Sequence, residues 1–97
     1  MASVQVKKTY DGKTDGEVYE AAKLAIPNAG FTLWKTRELA RLVMGTGTLD
    51  GKEVRLNVVV SMFDSSATVS AESDDLDEAA LAPVPESVHA ELAKLLA

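Results

Sequence analysis

The alternation of residue types over positions 53–63 is the feature that most constrains how this chain folds. An apolar side chain recurs at every second residue, at Val54, Leu56, Val58, Val60 and Met62. A period of two is typical of a β-strand that packs one face against a core. The Asp50-Gly51 pair directly before it is a favoured hairpin turn, because both positions tolerate positive φ. The segment therefore predicts a β-hairpin, its register and its buried face.

Further strands are expected on both sides of this one. They cover residues 4–10, 31–36, 40–49 and 67–71. Tight turns at Arg37-Glu38 and at Asp64-Ser65 would join neighbouring strands in the second half of the sheet. Because consecutive tight turns reverse the chain each time, they predict an antiparallel meander.

Two helices complete the predicted domain. Thr14 and Glu17 have the spacing of a capping box ahead of an alanine-rich apolar stripe. Pro85 suits the first position of a final helix, whose apolar stripe is Val88, Leu92, Leu95 and Leu96. The order β-α-β-β-β-β-α predicts a single α+β domain over residues 1–97, a two-layer sandwich with both helices packed on one face of the sheet. Small helix-grip domains share this plan at the level of topology.

Composition and charge narrow the classes of function. The chain has 97 residues and a net charge of −5, with about +2 in residues 1–56 and about −7 in residues 57–97. A net-acidic chain lacks the basic footprint of a nucleic-acid binder. It has no cysteine, which excludes a thiolate metal site and a cysteine nucleophile. Without a signal-peptide pattern or a membrane-length apolar run, we expect a cytoplasmic protein with no membrane partner.

The register counted outward from the two hairpin turns places small residues on the helix-covered face. They are Gly45, Gly47, Ala67 and Ala71. The Asp64-Ser65 turn would pair Met62 with Ala67, and Arg41 would lie opposite Val60 near the end of the sheet. Two explanations fit these small residues. Either the alanine-rich helix packs very close to the sheet, or a cavity for a small apolar ligand remains, with Arg41 at its mouth.

The other face of the sheet carries an apolar group that needs an explanation. Its members are Leu42, Met44, Val59 and Phe63, joined by Trp34. One extra residue in the turn around Arg37-Glu38 would move Trp34 from this outer face into the core, because a register slip of one reverses every side chain. The group is either a set of scattered exposed apolar residues, which is ordinary, or the interface to a second copy or another protein.

The sequence offers little catalytic chemistry. No acid, base and nucleophile can be assembled with a role for each, so we expect neither an enzyme nor a cofactor or metal site. His89, the only histidine, is expected on the surface of the final helix in weak contact with Glu86. The acidic run 74–78 lacks the glycine and the final glutamate of an EF-hand loop. The Gly45-Thr46-Gly47 segment opens no helix, which argues against a phosphate loop.

These observations lead to two hypotheses about function. The first is a small non-enzymatic domain that acts by association through the outer sheet face, as a homodimer or with a protein partner. The alternative is a carrier that holds a small apolar ligand in a cavity between helix and sheet.

Overall fold

A computed structural model, which describes residues 2–97, has a five-stranded antiparallel sheet in the order β1-β5-β4-β3-β2. The elements are β1 Ala2–Thr9, α1 Asp15–Asn28, β2 Thr32–Arg37, β3 Leu42–Leu49, β4 Lys52–Val60, β5 Ser66–Ser73, α2 Glu78–Leu81 and α3 Pro83–Leu96. The two long helices and the short α2 pack on one face of the sheet, where the buried core lies. The predicted two-layer α+β architecture and its element order are confirmed.

The β3–β4 hairpin has the predicted turn and register. Asp50 and Gly51 have φ values of 53° and 77°, which is the left-handed geometry that this turn requires. Leu49 pairs with Lys52, and every pair back to the middle of β3 follows, including Gly45 with Leu56. The alternating apolar residues of β4 therefore face the helices, as expected: Val54, Leu56, Val58 and Val60.

The connection between β4 and β5 differs from the prediction. A five-residue segment, 61–65, replaces the two-residue turn at Asp64-Ser65, so Val60 rather than Met62 pairs with Ala67. The segment widens because its polar side chains bind its own backbone: the Ser66 N–H donates to Asp64 Oδ1 (3.1 Å) and the Phe63 N–H to Ser61 Oγ (3.2 Å). The register moves by two residues, which leaves the inner and outer faces of β5 unchanged.

Helix α1 begins at the predicted capping box and ends near Pro27 and Gly30. The Thr14 hydroxyl accepts a hydrogen bond from the Glu17 N–H (3.1 Å), while the Glu17 carboxylate accepts one from the Thr14 N–H (3.4 Å). Pro27 lies in the last turn, and Gly30 has a φ of 94°, which suits glycine after a helix end. Small buried residues such as Ala22 and Ala25 bring the helix close to the sheet.

The acidic segment after β5 forms helix caps. Asp77 Oδ1 accepts a hydrogen bond from the Ala80 N–H (2.8 Å) and so starts α2. Helix α3 then begins at Pro83, two residues earlier than the Pro85 start predicted above. No helix within residues 2–97 is long and apolar enough to cross a bilayer.

Candidate interaction surface

Strand pairing orders the outer face of the sheet into rows that run across the strands. The row nearest the β2–β3 turn contains Arg37, Leu42, Val59, Thr68 and Lys7. The next contains Lys35, Met44, Asn57, Ser70 and Gln5. The third contains Thr32, Thr46, Arg55, Glu72 and Ser3. Among the described residues of these three rows, the apolar side chains lie on β3 and β4 in the first two rows.

This region, which we call the outer-face patch, consists of Leu42, Met44 and Val59. Leu42 and Val59 lie directly opposite each other, and Met44 follows Leu42 on the same face of β3. Leu42 and Met44 are half-buried, whereas Val59 is 46% exposed. All helices lie on the other side of the sheet, so the patch is uncovered in the single chain.

Trp34 lies on the edge strand β2, next to Lys35, which pairs with Met44 of the outer-face patch. The pairing of β2 with β3 passes from Leu33 and Gly45 to Lys35 and Met44, and Trp34 is the extra residue of the resulting β-bulge. Its side chain is 62% exposed and lies outside the core. The sequence left its orientation open because a single bulge residue decides it.

Phe63 does not lie on the sheet, where the sequence placed it. It is in the β4–β5 segment and is 97% exposed, next to Met62, which is 59% exposed instead of facing the core. Leu39, in the β2–β3 turn, is 94% exposed and was missed by the sequence reasoning. Both connections leave the same end of the sheet, because β2 and β4 run in the same direction. The two connections are about 10 Å apart, which corresponds to two strand spacings.

Charge is distributed unevenly along the outer face. At the end away from the patch, the Arg55 guanidinium contacts Glu72 (3.0 Å), Glu53 (3.1 Å) and Asp74 (3.5 Å). The hydrogen bond that Arg55 donates to Glu72 raises the pKa of the guanidinium, and the charge of Asp74 acts in the same direction. Three carboxylates around one guanidinium leave this end acidic. The rows of the patch hold the cations Lys7, Lys35 and Arg37 instead.

The small residues on the inner face are covered by side chains. A Cβ on Gly45 would lie 2.7 Å from Cγ2 of Ile26, and one on Gly47 would collide with the ring of Phe31. Ala67 and Ala71 are fully buried. Ile26 of α1 and Phe31 therefore fill the space above the two glycines. This contact favours close packing over a cavity, and the carrier hypothesis loses the feature that motivated it.

Arg41 is held by neighbouring groups at the end of the sheet. Its carbonyl accepts a hydrogen bond from the Val60 N–H (2.9 Å), which agrees with the expected position opposite that residue. Its Nε donates to Asp15 Oδ2 (2.8 Å), and its guanidinium lies 5.6 Å from the centre of the Tyr19 ring. The hydrogen bond from Arg41 lowers the pKa of Asp15. Arg41 thus fixes the β2–β3 turn to the start of α1.

His89 is buried, contrary to the surface position predicted from sequence. It is 1% exposed, with Nδ1 2.6 Å from the Tyr10 hydroxyl and Nε2 2.8 Å from the Val6 carbonyl oxygen. The rings of Tyr10 and His89 are stacked with their centres 5.9 Å apart. Glu86 does not bind His89 but pairs with Lys8 (3.1 Å). The facing strand β1 explains the difference, because it covers this side of α3.

The described part of the chain, residues 2–97, contains no group of three or more His, Cys, Asp or Glu side chains placed to hold a metal ion. In comparisons with known proteins, no family model matches the chain and no curated protein is detectably similar to it.

Proposed function

We propose that the protein has a non-enzymatic role and acts by association with a second copy of itself through the outer face of its sheet. The observation that carries the proposal is the contiguity of the outer-face patch, in which Leu42 and Val59 are paired and Met44 is adjacent. Trp34 extends the apolar surface towards β2. Contiguous apolar patches are a feature of interaction sites, and Trp and Met are enriched in interface cores.

The exposed aromatic side chains supply a useful part of the area that a dimer needs. Trp34 is 62% exposed and Phe63 is 97% exposed. Since burying one aromatic side chain removes about 150–250 Å² from solvent, the two offer roughly 300 Å². A standard interface buries about 800 Å² per partner. Leu39 and Met62, at the same end of the sheet, add further apolar surface.

The face of the sheet is a better place for association than the free edge of β2. Every residue of β2 is exposed, so this edge is open to a further strand. The bulge at Trp34 and the charge of Lys35 both interrupt it, and these are the devices by which proteins protect edge strands from pairing. Contact between two sheet faces can bury Trp34, and it does not require a regular ladder of backbone hydrogen bonds between strands.

Sedimentation velocity from micromolar to hundred-micromolar concentration tests the proposal. We expect the wild type to dimerise and Met44→Asp to raise the dimer dissociation constant at least a hundredfold. The reason is that the interface would then bury a charged carboxylate in place of an apolar side chain. Val59→Asp is expected to act in the same direction. Each variant alters only an outer-face position, so the monomer should keep its fold.

Thr68→Asp is the matched control, because Thr68 is the outer-face partner of Val59 on β5 and lies outside the apolar patch. It should weaken the dimer far less than Val59→Asp does. A wild type that stays monomeric throughout the concentration range would contradict the proposal. So would a Met44→Asp protein that dimerises as tightly as the wild type.

A further inference from the structure

Three side-chain contacts join the edge strand β1 and the residue after it, Tyr10, to helix α3. His89 Nε2 lies 2.8 Å from the Val6 carbonyl oxygen, and His89 Nδ1 lies 2.6 Å from the Tyr10 hydroxyl. Nearer the surface, Lys8 Nζ lies 3.1 Å from Glu86 Oε2. We call Val6, Lys8, Tyr10, Glu86 and His89 the β1–α3 clasp. His89 takes part in two of its three contacts.

The clasp fixes the protonation state of the imidazole. A backbone carbonyl can only accept a hydrogen bond, so the contact with Val6 requires a proton on Nε2. The neutral ring then has a free lone pair on Nδ1, and the Tyr10 hydroxyl donates to it. Both ring nitrogens are satisfied in the neutral ring, in a site that is 1% exposed.

A second proton on the ring disturbs this arrangement. The new Nδ1–H points at the Tyr10 oxygen, so the hydroxyl must turn its own proton to another acceptor. The carbonyl oxygen of His89 is 3.4 Å away, longer than a good O–H···O bond. Tyr10 cannot compensate by ionising, since burial and, to a lesser extent, the charge of Glu86 raise its pKa to about 12. The imidazolium is therefore buried without a counter-ion in contact.

We propose that protonation of His89 releases α3 from β1, so that the docking of this helix on the edge strand is sensitive to pH. The charged and titratable groups that act on His89 are Lys8 of β1, Tyr10 directly after that strand, and Glu86 of α3. Lys8 and Glu86 pair with each other, and their effects on the ring oppose one another. Desolvation consequently dominates the behaviour of the imidazole.

The direction of the pH effect follows from that burial. Desolvation lowers the pKa of His89 below its ordinary value of 6.5, with the Val6 hydrogen bond acting in the opposite direction. The open or unfolded state therefore takes up a proton at higher pH than the closed state. The stabilisation is complete above pH 6.5 and is lost as the pH falls from there through the lower pKa of the folded state.

Release of α3 would uncover an apolar surface that is hidden at neutral pH. Val84, Val88 and Leu92 of α3 belong to the core, and α3 packs on both α1 and β1. The strands β3 and β4 are held by the central ladder, and neither of them pairs with β1. The pH-sensitive docking of α3 thus predicts that the amides of α3 and β1 lose protection from hydrogen exchange before the centre of the sheet opens.

Hydrogen exchange of the full chain at pH 7.5 and pH 5.5, corrected for intrinsic exchange rates, tests the proposal together with NMR titration of the His89 ring. In the wild type, protection of α3 amides should fall by up to about tenfold at pH 5.5, while that of β3 and β4 falls less. His89→Gln keeps one donor and one acceptor but cannot titrate, so it should abolish this loss. Lys8→Gln, which removes only the surface pair, should retain it.

The proposal would be overturned if the wild type and His89→Gln lost the same amount of α3 protection between pH 7.5 and pH 5.5. It would also be overturned if the wild type kept α3 protected at pH 5.5. If His89→Gln fails to fold, the wild type alone decides the question. Its ring titration and its loss of α3 protection must then share one midpoint below pH 6.5, and separate midpoints would refute the link.

Discussion

Replacing Gly45 with alanine is expected to lower the free energy of unfolding by about 1–3 kcal/mol, the usual cost of overpacking a core. A Cβ at this position would lie 2.7 Å from Cγ2 of Ile26 and 3.1 Å from the backbone oxygen of Thr32. Ile26 is fully buried, and the Thr32 oxygen belongs to the neighbouring strand, so neither atom can retreat easily. Urea denaturation with an unchanged m-value measures the loss.

A double-mutant cycle shows whether the contact between the new methyl group and Ile26 causes the loss of stability. Ile26→Ala alone should cost about 2–5 kcal/mol, but Gly45→Ala combined with it should cost less than the sum, because the methyl group then has room. Gly16→Ala is the control, since its Cβ would approach only Thr14 Oγ1, at 3.9 Å, and alanine favours a helix. A Gly45→Ala protein as stable as the wild type would contradict close packing and restore the ligand cavity.

The parts of the fold that the sequence predicts correctly depend on local chemistry. The Asp50-Gly51 turn sets the β3–β4 register because its geometry requires positive φ at two consecutive positions. The capping box of Thr14 and Glu17 sets the start of α1 through two reciprocal hydrogen bonds. In both cases the residues that decide the structure are neighbours in the chain, and the position of the outer-face patch follows from the register.

The errors occur where the pattern of apolar residues carries no signal. The Asp64-Ser65 pair resembles a tight turn, but hydrogen bonds from nearby backbone groups to Asp64 and Ser61 favour a longer connection, and this moves Phe63 off the sheet. The bulge at Trp34 depends on how β2 meets β3. Neither feature changes the alternation of apolar residues, so the pattern alone could not reveal them.

His89 is the clearest case of a long-range contact that changes an interpretation. Its partners Tyr10 and Val6 are 79 and 83 residues away in the chain. The sequence nevertheless held a signal, because Pro85, Val88, His89 and Leu92 follow the i, i+3, i+4, i+7 spacing of one helix face. A stripe that is defined by apolar residues alone does not include the histidine.

The buried face of α3 also explains which leucine of this helix matters most for stability. The apolar stripe read from the sequence treats Leu92 and Leu95 as equivalent. In the structure Leu92 is fully buried in the core, whereas Leu95 is 38% exposed and lines an open groove beside Leu24 of α1. The difference arises because the buried face of α3 runs through Val84, Val88 and Leu92 and continues at Leu96, which packs against the core, whereas Leu95 lies beside that face.

Leu92→Ala is accordingly expected to lower the free energy of unfolding by about 2–5 kcal/mol, through lost burial and the cavity left behind. Leu95→Ala, its matched control in the next turn of the same helix, should cost less than about 1 kcal/mol, because the Leu95 side chain is still partly in water in the folded protein. Urea denaturation of both variants at pH 7.5, where His89 is neutral, keeps proton effects out of the comparison. Equal losses for the two variants would contradict the packing of α3 described above, and with it the position of the β1–α3 clasp.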